Sequence, residues 1–121
     1  LGPQCVDPFA RRVLRVSMGC LLNLSLWYTR DALATLQSWT SGGIDVVATS
    51  LQAGSIPLES FRRKRPTVIV MGNEASGLPE TLQQAATHRV RIDMAPDTDS
   101  LNVSIASGIV LHYIQRIARP L

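Results

Sequence analysis

A glycine turn, Gly72 to Gly77, is the segment of this sequence best suited to hold a ligand. It follows an apolar segment, Thr67 to Met71, that predicts a buried parallel strand. Ligands of open α/β sheets bind at the carboxyl ends of such strands, so the turn is well placed. Asn73 and Glu74 supply polar side chains within it. A tight turn that binds nothing would have the same sequence, so the turn alone leaves both possibilities open.

Two phosphate-binding motifs do not match this turn. A P-loop requires Gly followed by Lys and then Ser or Thr, whereas Gly77 is followed by Leu78 and Pro79. A dinucleotide-binding fingerprint requires a third glycine at a spacing that is absent here. A nucleotide-phosphate binder is therefore disfavoured.

A second polar set precedes the last apolar segment of the chain. Ser100 and Asn102 flank Leu101 at the predicted beginning of a helix. Ser100 could serve only as an N-cap, and Asn102 could only satisfy a local carbonyl group. The residue types alone do not assign them a catalytic role.

Helices and strands alternate along the chain and would position both polar sets. Asp7 and Pro8 predict the start of a first helix, and Asp31 predicts the cap of a second. The predicted helices span residues 8–18, Asp31 to Ser41, 79–86 and 101–117. The predicted strands span residues 24–28, 44–48, 67–71 and 89–92. Residues 49–66 are predicted to be mostly loop. This alternation predicts an α/β fold with a parallel sheet flanked by helices.

Composition is typical of a single globular domain. The chain has 121 residues, 45% of them hydrophobic and 17% charged. Its first residues do not form a signal peptide and no apolar run is long enough to cross a membrane, so we expect a cytoplasmic protein, with an organellar location left open. The cysteines and histidines lack metal-ligand spacing, so no metal is expected. These residues are Cys5, Cys20, His88 and His112.

Two stretches of the sequence resemble signatures of the SpoU branch of the SPOUT RNA methyltransferases. Residues Val68 to Leu78 resemble the second signature. Residues Arg91 to Met94, with Asp99 to Ala106, resemble the third. The resemblance implies 2′-O-methylation of a ribose in tRNA or rRNA with S-adenosylmethionine as cofactor. It also implies a deep trefoil knot in the C-terminal part and a homodimer with each active site at the interface.

The resemblance assigns roles to individual residues. Gly72, Ile92 and Leu101 match positions whose backbone holds the cofactor. Met94 belongs to the same signature, and Thr49, at the end of the preceding strand, is expected to border the same pocket. The residues that match polar positions of the active site are Glu74, Ser100 and Asn102.

The sequence departs from the family at two places. Asp93 stands where the family often has proline. The family's first signature, an Asn followed by an Arg that is thought to help deprotonate the ribose hydroxyl, is absent. Arg11, Arg12 and Arg15 are not substitutes for it. We therefore expect residues 1–121 to form a single methyltransferase domain that lacks its N-terminal portion.

A basic run precedes the strand that leads to the glycine turn. It consists of Arg62, Arg63, Lys64 and Arg65, and the whole chain has a net charge of +3. Such a run is often only a solvated surface, but here it could contact the phosphates of RNA.

The last predicted helix is apolar on nearly all sides, which predicts burial on more than one face. A sheet of this size covers only some of the faces of this helix. A face that the sheet leaves uncovered is expected to contact a second subunit through positions such as Ile109 and Tyr113. Two classes of function remain open. One is an RNA ribose methyltransferase, and the other is a non-catalytic RNA-binding or dimerisation module of the same fold.

Overall fold

The computed structural model describes residues 1–73, 76–96 and 101–117. Glu74 and Ser100, two of the predicted active-site residues, lie outside this part of the chain. The protein divides into two compact units, Leu1–Thr35 and Leu36–Leu121. Among the described residues, none of the helices has the length and apolar character needed to cross a membrane.

The first unit contains helix α1, Arg11–Val16, which is shorter than predicted. The carboxylate of Asp7 accepts a hydrogen bond from the backbone N–H of Phe9 at 2.9 Å. Asp7 therefore stabilises a turn before the helix rather than capping it. The helix ends at Val16, two residues before the predicted end, and Met18 and Gly19 follow with left-handed φ values of 51° and 79°.

The strand predicted at residues 24–28 is wrong. A short 3₁₀ helix, Cys20–Asn23, precedes this segment. The backbone carbonyl of Trp27 accepts from the backbone nitrogen of Leu1 at 2.7 Å, and the side chain of Trp27 is 80% exposed. A short apolar run has no periodicity that distinguishes a strand from an irregular segment.

Helix α2, Ala32–Ser41, agrees with the prediction at both ends. The Asp31 carboxylate accepts from the N–H of Ala34 at 2.9 Å, as an N-cap does. Gly43, just after the helix, has a φ of 81°.

The second unit contains a four-stranded parallel sheet in the order β2-β4-β1-β3. Its strands are β1 (Asp45–Thr49), β2 (Ile56–Pro57), β3 (Thr67–Val70) and β4 (His88–Arg91). The predicted parallel α/β arrangement is confirmed. In the described sheet β3 is an edge strand and only partly buried, whereas it was predicted to be a buried strand. β2, with two residues, was not predicted, because so short a strand leaves no pattern.

Besides a short 3₁₀ helix, Leu58–Ser60, the described part of this unit contains two further α-helices. They are α3 (Glu80–Ala85) and α4 (Val103–His112), and α4 continues into a π-helical turn, Tyr113–Ile117. The predicted helix at 101–117 is therefore largely correct, but its N-cap is Asn102, whose side-chain oxygen accepts from the N–H of Ser104 at 2.9 Å.

The core lies between the sheet and one face of α4. It contains Val47, Leu58, Phe61, Val90, Val110, Tyr113 and Ile114. Tyr113 is 8% exposed and belongs to this core, so the prediction that it contacts a second subunit was wrong. Ile105 and Ile109 are 57% and 40% exposed. Within one chain, α4 is thus buried on one face and leaves another apolar face uncovered.

Candidate active site

A cavity of about 610 Å³ lies at the carboxyl ends of β1, β3 and β4. Its volume is in the range of pockets that hold a cofactor or a small substrate. The segments that follow these three strands form most of its wall, and the first turns of α4 complete it. This is the edge at which ligands of parallel sheets bind.

All five residues predicted to bind a cofactor line this one cavity. They are Thr49, Gly72, Ile92, Met94 and Leu101. Parallel pairing explains why they meet, since Ala48 pairs with Val70 and Thr49 pairs with Val90. The three strand ends consequently lie side by side, although they are far apart in the sequence. Their role in binding stays a prediction.

The glycine turn is closed by its own backbone. Asn73 and Gly77 exchange two hydrogen bonds, at 3.0 and 2.8 Å. A Cβ atom on Gly72 would lie 2.4 Å from both the carbonyl carbon of Gly77 and the nitrogen of Leu78. The resemblance placed Gly72 in the cofactor site, which would be one reason for a glycine at this position. The structure gives a more immediate reason, which is that the returning backbone of the turn occupies that space.

Arg91 and Asp93 form an ion pair at the cavity. The Nε of Arg91 donates to a carboxylate oxygen of Asp93 at 2.7 Å. The Nη1 of Arg91 donates to the backbone carbonyl of Ser55. Asp93 is the residue that stands in place of the family's frequent proline. The pair is partly exposed, so it orients the Arg91 side chain more than it stabilises the fold.

The polar residues of the cavity wall that sequence reasoning missed include Ser50, Gln52 and Gln83. Gln83 is 6% exposed and lies on α3. Nothing in the pattern of a six-residue helix indicates which glutamine faces inward. For Ser50 and Gln52, the usable signal was their closeness in sequence to Thr49, at the end of β1.

The structure describes one of the three predicted catalytic residues, Asn102. Asn102 caps α4, and its neighbours Leu101 and Val103 both line the cavity. Glu74 and Ser100 lie outside the described residues. A catalytic role for the three stays a prediction.

The four residues of the basic run differ in their contacts and in their exposure. Nη1 of Arg62 donates to the backbone carbonyls of Glu59 and Phe61, at 2.6 and 2.9 Å, and to the hydroxyl of Tyr113 at 2.7 Å. Arg63 is partly buried, whereas Lys64 and Arg65 are exposed. Arg62 therefore connects two parts of the fold, and contact with RNA stays a prediction for the run.

In the described part of the chain, no group of three or more His, Cys, Asp or Glu residues could hold a metal ion. Cys5 and Cys20 are free and exposed.

The fold and the cavity together define a parallel α/β ligand-binding domain. The chain belongs to the SpoU rRNA methylase family, whose model matches residues 1–112. The resemblance seen in the two signatures is thereby confirmed.

Relatives and solved structures agree with this family. An uncharacterised tRNA/rRNA methyltransferase of Synechocystis sp. is 35% identical over 116 residues, which are 96% of this chain and 42% of that protein. The AdoMet-bound rRNA methyltransferase of Sinorhizobium meliloti has a TM-score of 0.86 and 34% identity, and the match covers 96% of this chain and 44% of that one. An RNA 2′-O ribose methyltransferase has a TM-score of 0.78 and 28% identity, over 93% and 43% of the two chains. The chain thus spans less than half the length of these proteins.

Proposed function

We propose that this chain forms the S-adenosylmethionine-binding part of an enzyme that methylates the 2′-hydroxyl of a ribose in tRNA or rRNA. The observation that carries the proposal is the cavity at the strand ends, in which all five residues assigned to the cofactor meet. Similarity to an AdoMet-bound rRNA methyltransferase and to an RNA 2′-O ribose methyltransferase supports it.

The cavity has the chemistry that this cofactor requires. Ile92, Met94 and Leu101 supply apolar surface for the adenine ring, and the segments around Gly72 and Ile92 supply backbone donors and acceptors. Bound S-adenosylmethionine would provide the electrophilic methyl group of the reaction.

The proposed contribution of the chain to catalysis is positioning. Methyl transfer from a sulfonium is an in-line displacement, which requires an oriented ribose and removal of the 2′-hydroxyl proton. We assign orientation of the ribose to Glu74, Ser100 and Asn102. The arginine of the family's first signature, to which proton removal is attributed, has no counterpart among the 121 residues.

Several features of the family belong to the same proposal. They are a single methyltransferase domain over residues 1–121, a deep trefoil knot in its C-terminal part, a homodimer, and contact between RNA and the basic run. Hydrogen bonds from Tyr113 back to Glu59 and Phe61 support a C-terminal segment that is closely joined to an earlier loop. The net charge of +3 supports an anionic partner.

Calorimetry tests the cofactor, and methylation of RNA tests the activity. We expect the chain to bind S-adenosylmethionine with a Kd between about 1 μM and 1 mM, and not to bind ATP. Full-length protein incubated with total tRNA and rRNA should yield a methylated ribose that can be mapped to one nucleotide. Cofactor binding without methylation of any RNA would favour the alternative, a non-catalytic RNA-binding or dimerisation module of the same fold. Absence of cofactor binding would contradict the proposal.

A further inference from the structure

Gln83 is an unusual residue in the wall of the cavity, because it is polar and almost completely buried. Its side chain is on α3 and is 6% exposed. A buried amide is costly unless its hydrogen bonds are made, so its partners reveal what it stabilises.

The amide of Gln83 joins two segments of the cavity wall. Its Nε2 donates to the backbone carbonyl of Leu78 at 2.7 Å, at the end of the glycine turn. Its Oε1 accepts from the hydroxyl of Ser50 at 2.5 Å, just after β1. One side chain therefore holds the segments that follow β1 and β3, and both segments line the cavity.

Ser50 extends this connection to the rest of the wall. Its Oγ also accepts from the N–H of Gln52 at 3.1 Å, and its own N–H donates to the carbonyl of Val90 at 2.9 Å. Val90 is in β4 and pairs with Thr49. The chain of hydrogen bonds thus runs from Leu78, just after the glycine turn, through Gln83 and Ser50 to Val90 of β4.

Helix α3 contacts the same loop a second time. Hydrogen bonds from Gln52 and then Gln84 lower the pKa of Glu80, in the first turn of α3. Glu80 is fully solvent-exposed, so this contact is screened by water, and the buried amide of Gln83 is the stronger of the two connections.

We propose that Gln83 is a positioning residue that fixes the separation of the Ser50 and Leu78 segments and thereby sets the affinity of the cavity for S-adenosylmethionine. This inference rests on the proposed function of the cavity. Gln83 does not need to touch the cofactor, since it acts through the backbone at Leu78 and the hydroxyl of Ser50. The neighbouring residue Gln84 provides a natural comparison, because it is exposed and its amide donates to the exposed carboxylate of Glu80, at 3.0 Å.

Gln83→Met tests the proposal, with Gln84→Met as the matched control. Methionine has a similar length but cannot make either hydrogen bond. At a temperature where circular dichroism shows both variants folded, Gln83→Met should weaken cofactor binding about tenfold, as expected for the loss of buried hydrogen bonds. Gln84→Met should stay within about twofold of the original chain. In the full-length enzyme, the KM for the cofactor should rise by the same factor while kcat changes little, a split that general destabilisation would not produce.

Ser50→Ala provides a second variant that removes only a hydroxyl group. It should weaken binding on its own, and Ser50→Ala combined with Gln83→Met should lose much less than the product of the two single effects, because both act through one connection. If Gln83→Met does not fold, unchanged affinity in Ser50→Ala overturns the inference. Equal affinities for the Gln83 and Gln84 variants overturn it while leaving the proposed function intact. A chain that binds no cofactor before any substitution overturns both.

Discussion

Gly72 is restricted by the backbone of the turn it begins. Because a Cβ atom there would lie 2.4 Å from backbone atoms of Gly77 and Leu78, even alanine requires the turn to open. We expect Gly72→Ala to lower the free energy of unfolding by about 1–3 kcal/mol and to weaken cofactor binding. Urea unfolding and calorimetry measure the two effects.

Gly108 offers a control for this experiment. It lies within α4, and a Cβ atom there would have no heavy atom within 4 Å apart from the backbone of its own helix. Gly108→Ala should be neutral or stabilise the chain by about 0.5–1 kcal/mol, because alanine favours helix. Equal unfolding curves for the two variants would show that the turn tolerates a side chain at Gly72.

Asn102 combines a structural role that is visible with a catalytic role that is proposed, and substitutions separate the two. Its Oδ1 caps α4, so Asn102→Ala should cost about 1 kcal/mol of stability. Asn102→Asp keeps an acceptor for the N–H of Ser104 and should remain close to the original stability. If the amide orients the ribose, the aspartate variant should still lose methylation while binding cofactor normally. Normal methylation by that variant would reduce Asn102 to an N-cap.

At the scale of elements, Tyr113 and Arg62 connect the end of α4 to an earlier loop. The hydroxyl of Tyr113 donates to the carbonyl of Glu59 at 2.7 Å and accepts from Arg62 at 2.7 Å. Tyr113→Phe removes these bonds from a side chain that is 8% exposed, so we expect a loss of about 1–2 kcal/mol in the free energy of unfolding. Tyr28→Phe is the control, because Tyr28 is 64% exposed. Similar denaturation midpoints for the two variants would mean that these bonds add nothing to stability.

The elements were predictable where local chemistry decides them. The cap at Asp31 and the stop at Gly43 fixed α2, and the apolar strand Thr67–Val70 was recognisable from its side chains. The segment at 24–28 was not, because its apolar residues, such as Trp27, remain exposed. β2 is too short to leave a pattern, and its place beside β4 results from tertiary packing.

The candidate site was predictable in outline for a different reason. Thr49, Gly72 and Ile92 were assigned by position at strand ends and by family signature, and the parallel sheet brings such ends together. Gln83 was not predictable, because whether a glutamine points inward depends on the packing of α3. The hydrogen bonds of Arg62 within the fold were not predictable for the same reason. A basic run has the same sequence whether or not its side chains bond to other parts of the chain.

At the scale of the whole molecule, the distinction within the basic run changes how RNA contact should be tested. Replacing Lys64 and Arg65 with Ser should weaken RNA binding and flatten its dependence on salt, because fewer phosphates would be neutralised. Arg62→Ser should instead mainly lower stability, since its guanidinium bonds Tyr113 and two carbonyls. Filter binding over a range of salt concentrations measures the slope. An unchanged slope in the Lys64 and Arg65 variant would make the run a solvated surface.

The uncovered face of α4 argues for a second subunit. Ile105 and Ile109 are four residues apart and therefore lie on one face of the helix, where they are 57% and 40% exposed. A different face, including Ala106 and Val110, lines the cavity. A partner that covers the exposed face would therefore stiffen a helix that forms part of the cofactor site.

We predict a two-fold homodimer in which this face of α4 is at or near the centre of the interface. Ile109→Glu would place a charge there, so it should yield monomers or aggregates and bind the cofactor more weakly. Gln84→Glu, which adds the same charge on exposed α3, should remain dimeric. Light scattering at micromolar concentration distinguishes the two states. If the original protein is already monomeric under these conditions, the exposed isoleucines do not form a subunit interface and α4 needs no partner to complete the cofactor site.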